Sequence, residues 1–186
     1  MSEEDRQKWN ARYRADGPLP GPPAGFLTGL DDLLPRRGRA LDVAGGSGRN
    51  AVWLADRGLD VTLVDISAAA LELAVLAAGT TPLRTAMADL DVDPLPAGPW
   101  DLIVSFNFLW RELFEVAPRL LAPGGLLVYA QPTVKNLERH AKPPAGFLLE
   151  DGELPGVVRD LEILLCEEGW TEDGRHEARL VARRMA

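Results

Sequence analysis

From Ala40 onward the chain alternates short apolar runs with helical stretches, and this rhythm constrains the fold more than any other feature of the sequence. Ala40-Leu41-Asp42-Val43 predicts a strand, Gly45 to Gly48 a tight turn, and residues 50–57 a helix closed by Gly58. Val61-Thr62-Leu63-Val64 is β-branched and apolar, as strands buried on both faces are. Ser67 then caps an Ala/Leu-rich helix reaching about Ala78. Residues 83–85 predict a weaker strand and 101–106 a stronger one. A helix over 110–121, with a kink at Pro118, stops at Pro123-Gly124-Gly125 before a strand over 126–130. Strand and helix in strict alternation specify a parallel sheet covered on both faces, an α/β doubly wound domain. The tail breaks the rhythm: residues 162–166 and 177–181 are apolar-rich and joined by the turn-rich 169–175, which predicts an antiparallel hairpin at the sheet edge.

Before Ala40 the pattern differs. A helix is expected after Ser2, with Glu3, Glu4 and Asp5 complementing its positive end, running to about Arg14. Residues 17–25 are rich in Pro and Gly, and a short helix near 26–34 follows. The expected division is a helical cover over 1–34 and a catalytic domain over 35–186. A length of 186 residues suits one domain and leaves no room for a separate substrate domain.

Charge narrows the partners. A formal charge of −8 argues against a nucleic-acid partner, which requires clustered Lys and Arg; Arg36, Arg37 and Arg39 read as a solvated loop. No apolar run approaches the ~20 residues of a membrane span, and the acidic start is unlike a signal peptide. A cytoplasmic protein is the expectation. Cys166 is the only cysteine; in the apolar run Ile163-Leu164-Leu165-Cys166 it is expected to be a buried, inert thiol. His140 and His176 are isolated in sequence, so no metal site is expected.

The chemistry starts at Asp42-Val43-Ala44-Gly45-Gly46-Ser47-Gly48-Arg49-Asn50. A strand feeding a glycine turn and then a helix brings backbone amides and a positive helix end to one crevice. The next strand ends at Asp65, where a carboxylate can accept both hydroxyls of a ribose. Gly46 to Ala51 also fits the dinucleotide pattern G-x-G-x-x-A, so an NAD-dependent oxidoreductase is a second reading. Asp42 separates the two. Beside a pyrophosphate its carboxylate repels, whereas it favours a ligand that carries an ammonium and a sulfonium.

The same run resembles motif I of the class I S-adenosylmethionine-dependent methyltransferases, written D-x-G-x-G-x-G, with Ala44 at the first glycine position. Ala88-Asp89-Leu90 followed by Pro94-Leu95-Pro96 is similar to that family's adenine-binding motif. Trp9-Asn10-Ala11-Arg12-Tyr13 resembles the W-x-x-R-Y helix of its tellurite-resistance and thiopurine-type small-molecule members. The resemblance implies a seven-stranded, Rossmann-like sheet of order 3-2-1-4-5-7-6. It implies S-adenosylmethionine as cofactor, bound by Asp42, Ala44, Gly45, Gly46, Gly48, Asn50, Asp65, Ile66, Ala88, Asp89, Leu90 and Phe106. Asn107 stands where nucleobase-modifying relatives carry Asp/Asn-Pro-Pro-Tyr, but Phe108-Leu109-Trp110 does not match, so a small-molecule acceptor is implied. No catalytic residue and no oligomeric state follow from the sequence, and a protein that binds S-adenosylmethionine without transferring its methyl group would look the same. Trp9 and Tyr13, four apart on one helix face, fit either a lid or simple packing.

Overall fold

The computed structural model describes residues 3–17 and 21–185. The expected Ser2 cap and residues 18–20 of the Pro/Gly stretch lie outside the described residues. Helix α1 spans Glu3–Asp16 and α2 Gly25–Gly29. The core alternates as β1 (Arg39–Val43), α3 (Arg49–Asp56), β2 (Asp60–Asp65), α4 (Ala68–Ala78), β3 (Arg84–Met87), β4 (Trp100–Phe106), α5 (Leu113–Leu120) and β5 (Leu121–Pro132). Two short 3-10 turns and α6 (Leu154–Val157) then lead to the hairpin β6 (Glu162–Trp170) and β7 (His176–Arg183).

One seven-stranded sheet results, in the order β3-β2-β1-β4-β5-β7-β6. Strands β1 to β5 pair in parallel, while β7 runs antiparallel between β5 and β6. Alternate side chains feed two cores. Leu41, Val43, Ile103, Leu127 and Tyr129 pack with Leu113 and Phe114 of α5 and with Leu149 and Leu154 of the segment between β5 and β6. Ala40, Leu63, Val104 and Val128 pack on the other face with Leu27 of α2, Leu54 of α3 and Ala74 of α4. Both faces of the sheet are therefore covered, as near-continuous apolar strands require.

The structure moves two boundaries and exposes one residue. Helix α5 starts at Leu113, three residues later than its sequence pattern, because residues 107–112 form a turn after β4. The turn expected at 123–125 lies within β5: Trp100 pairs with Leu121 and Leu102 with Leu126, so four residues bulge between successive pairings. Cys166 is exposed, not buried. Strand β6 is the outer edge of the sheet, so its apolar run keeps one side open and leaves Ile163 39% accessible.

Candidate functional site

The parallel strands β1, β2, β3 and β4 end on one side of the molecule, where order reverses between β1 and β4, the place at which open α/β sheets bind ligands. From Val43 the backbone turns through left-handed Ala44 (φ 54), Gly46 (φ 59) and Gly48 (φ 86) into α3. No side chain caps α3, so its first amides face the crevice. A Cβ on Gly45 would lie 2.6 Å from the Asp42 carboxylate, and one on Gly46 would strike the Tyr13 hydroxyl. Gly45 is thus demanded by close approach to a buried side chain, and Gly46 above all by its left-handed backbone. Ala44 is the exception, an L-residue held in a conformation that costs about 1–2 kcal/mol without glycine.

Two carboxylates sit beneath this turn. Asp42 is fully buried, and neither of its oxygens has a hydrogen-bond partner. Desolvation, then the neighbouring Asp65, push its carboxyl up to about 7; Arg49 and the Ala51 amide oppose this only weakly, the latter without normal hydrogen-bond geometry. Asp65 is buried but well held. Its Oδ2 accepts from the Gly46 amide at 2.9 Å and its Oδ1 from the Ser67 amide at 2.9 Å. Burial raises its pKa, and the amides of Ser67, Gly46 and Ile66 pull it back. A carboxylate offers about four lone-pair directions, so Asp65 keeps capacity for further donors.

Beyond Asp65, a cavity of about 100 Å³ is lined by Ile66, Met87, Ala88, Asp89 and Asp93 from the sheet side and by Glu3 and Arg6 of α1. Asp89 opens a tight turn, its carbonyl accepting from Val92 and Asp93 and its Oδ1 from the Asp91 amide. The Leu90 side chain is buried in the core. Asn50 is also buried, and its Oδ1 accepts from the Ala24 amide at 2.9 Å, tying α3 to the segment that leads into α2. Phe106, half-buried at the end of β4, packs 6.5 Å from the Phe26 ring. The structure thus brings together Asp42, Gly45, Gly46, Gly48, Asp65 and Ile66, with Ala88 and Asp89 one strand further on.

Sequence reasoning missed a second group at the same sheet end. Asn107 (φ 58) follows β4 and its Oδ1 accepts from Arg175 Nη1 at 3.3 Å. Arg175 also lies 3.2 Å from the buried Glu177, which Arg179 approaches at 3.6 Å from its other side. Beside them the buried His176 places Nδ1 2.7 Å from the Thr133 hydroxyl. The available signal was the period-two spacing of Arg175, Glu177 and Arg179, which brings Arg175, just before β7, to the same side as Glu177 and Arg179 on it.

Residues 40–125 match the family described as methyltransferase domain. The chain is 31% identical over 110 residues to YqeM of Bacillus subtilis (strain 168), a protein named as a methyltransferase; the match covers 54% of this chain but only 44% of YqeM. Among solved structures, a TehB-like S-adenosylmethionine-dependent methyltransferase from Corynebacterium glutamicum superposes with a TM-score of 0.68 at 22% identity, over 98% of this chain and all of that one. The cyclase SpnF superposes with a TM-score of 0.75 at 17% identity, over 100% of this chain and 97% of its own. Strand order and these superpositions give the chain the fold of the class I methyltransferases. Within that fold, the match of residues 40–125 to a methyltransferase domain points to S-adenosylmethionine as the cofactor.

The residues present fit that cofactor. A buried carboxylate with two unpartnered oxygens suits an ammonium, glycines clear the space above it, and a second carboxylate stands at the end of the next strand. Among the described residues no group of His, Cys, Asp and Glu is placed to hold a metal, and no helix is long and apolar enough to cross a membrane.

Proposed function

We propose that this protein transfers the methyl group of S-adenosylmethionine to a small-molecule acceptor in the cytoplasm. The observation that carries the reading is Asp42, a fully buried carboxylate without a partner, lying under a glycine turn. A pyrophosphate in that crevice would meet an anion. A ligand with an ammonium and a sulfonium supplies the cation that Asp42 lacks, and a hydrogen bond to a charged group contributes about 1.5–3 kcal/mol.

In this reading Asp42 accepts from the ammonium, and the amides of the turn from Ala44 to Gly48 hold the neighbouring carboxylate of the ligand. Asp65 accepts from the ribose hydroxyls while its bonds to Gly46 and Ser67 fix its rotamer. Ile66, Ala88, the Asp89 carboxylate and the Leu90 amide surround the adenine, and Phe106 borders the transferred methyl. The cofactor supplies a methyl already activated on sulfur, so the chain's task is alignment, which accounts for about 7–11 kcal/mol of a barrier when geometry is near attack. No residue is assigned as a base. Residues 1–34 form a cover, with α1 lying across the cofactor side, and residues 35–186 form the catalytic domain.

Calorimetry with S-adenosylhomocysteine and with NAD tests the cofactor. Selective binding of S-adenosylhomocysteine is expected, and binding of NAD alone would overturn the assignment. A panel of small acceptors, read by release of S-adenosylhomocysteine, tests the transfer itself. Binding without release from any acceptor class would favour a cofactor-binding protein without this activity.

A further inference from the structure

The geometry points to Asn10 as a positioning residue that pins α1 against the cofactor pocket and so governs how fast the product leaves it. The inference rests on the cofactor reading above. None of the described side chains of helix α1 is fully buried; Arg6, Trp9, Asn10 and Tyr13 are half-buried, and most of the others are exposed. That spacing of i, i+3, i+4 and i+7 is one helical stripe, so a single face meets the domain. The stripe pairs two aromatic rings, Trp9 and Tyr13, with the polar Arg6 and Asn10, and none of the four is fully buried, so directed hydrogen bonds add to a limited apolar contact in holding α1.

Asn10 makes two such bonds at one point. Its Oδ1 accepts from the Ser67 hydroxyl at 2.8 Å and from the Ala69 amide at 3.1 Å. Ser67 in turn caps α4, accepting from the Ala70 amide at 3.1 Å, and its own amide donates to Asp65. The side chain on α1 is thereby two bonds away from the carboxylate proposed to hold the ribose. The contact also lies between two gaps. Toward the N-terminus, Glu3 and Arg6 face Ile66, Ala88 and Asp89 across about 100 Å³. Toward the C-terminus, Tyr13 and Arg14 face Ala69 and Glu72 across about 210 Å³. With these gaps on either side, Asn10 is a hydrogen-bonded pin on the helix, alongside the Tyr13 hydroxyl at Gly46, and α1 loosens when that pin is lost.

The adenosine side of the cofactor would lie between α1 and the ends of β2 and β3, so α1 must leave for the ligand to leave. Asn10→Ala removes the acceptor and leaves the Ser67 cap of α4 intact. Stopped-flow measurement on the full chain should then show S-adenosylhomocysteine dissociating about tenfold faster, the loss of about 1.4 kcal/mol. Amide exchange over residues 3–16 should quicken, with melting of the ligand-free protein unchanged. Asn10→Asp keeps an acceptor facing the positive end of α4 and should release the ligand within about threefold of the wild-type rate. Wild-type protein that binds S-adenosylhomocysteine, joined to an Asn10→Ala variant with an unchanged dissociation rate, would overturn the role of Asn10 and leave the cofactor reading standing. Equal acceleration by Asn10→Ala and Asn10→Asp would also overturn it. Wild-type protein that binds no S-adenosylhomocysteine would overturn the cofactor reading, and this inference with it.

Discussion

Asp42 and Glu177 are both buried carboxylates near the same end of the sheet, yet their surroundings are opposite. Glu177 on β7 lies between the guanidinium groups of Arg175 and Arg179, at 3.2 and 3.6 Å. Asp42 on β1 has no partner for either oxygen. A buried charge is tolerated when paired, and an unpaired one neutralises or waits for a partner. The β7 side is electrostatically complete within the chain; the β1 side is complete only with a cation from outside. That contrast locates the ligand more firmly than the glycine turn does, since a turn of this shape also serves dinucleotides.

The largest expected effect breaks this contrast directly. Asp42→Asn should weaken S-adenosylhomocysteine binding more than about 100-fold, near 3 kcal/mol for a charge-assisted bond in a dry site. The same variant should raise the stability of the ligand-free protein, because it removes an unpaired buried charge. Glu177→Gln should leave cofactor affinity within about threefold, since it lies on the other half of the sheet. Calorimetry and thermal melting on the two variants decide the matter. If both lose affinity equally, the two halves are not distinct.

Asp65→Ala should follow closely. The carboxylate holds the Gly46 and Ser67 amides, so its loss both removes the ribose acceptor and loosens the turn. Affinity should fall about 30- to 100-fold and stability by about 2 kcal/mol, since two buried amides lose a charged partner.

Acidity sharpens the comparison further. The Asp42 carboxyl is pushed up to about 7 in the folded chain and returns to about 3.9 on unfolding. The folded state therefore holds a proton that the unfolded state has released. Its contribution to stability is greatest below about pH 4, is lost as pH rises toward 7, and is on the order of 4 kcal/mol in full. A bound ammonium favours the ionised carboxylate, so cofactor affinity should rise with pH from 5 to 7. The difference between wild-type and Asp42→Asn melting curves across that interval isolates the group, and a flat difference would show that Asp42 is already ionised.

The two halves also differed in how far the sequence revealed them. The cofactor half is encoded locally: Asp42 to Gly48 is one turn, and Asp65 and Asp89 each follow a β-branched or apolar run, so strand-end chemistry can be read off spacing. The β7 half draws Phe26, Asn107, Arg175 and Arg179 from three distant segments, which no local pattern joins. The fold was legible wherever apolar runs were uninterrupted. It was misread at Cys166, where an apolar run lies on an edge strand, and at residues 122–125, where a glycine turn is absorbed into a paired strand. Asn50 was read from its place in the glycine motif, but its side chain secures Ala24. The Ala44 substitution looked minor in sequence because its left-handed backbone is invisible there. Ala44→Gly should therefore stabilise the chain by about 0.5–1 kcal/mol, the relief of a left-handed alanine less the added entropy of glycine. That corresponds to a melting rise of about 1–4 °C at this size.

The smallest effect tests the outer edge of the sheet. Cys166 lies in Ile163-Leu164-Leu165-Cys166, a run that in a central strand would be sealed on both faces. On β6 it is exposed, because β7 covers one edge of that strand and the other edge has no neighbour in the sheet. Cys166→Ser distinguishes the two environments by sign of cost. In a sealed core the new hydroxyl would lack a partner and cost about 1–3 kcal/mol. On an open edge it meets water, and the change should stay within about 0.5 kcal/mol. A thiol reagent should label the native protein at nearly the rate of the unfolded chain, slowed only because partial burial, and then the charges of Glu168 and Glu167, hold the thiol above its ordinary pKa. Slow labelling joined to a large loss of stability would mean that β6 is covered in solution, and the sheet would then have no free edge on that side.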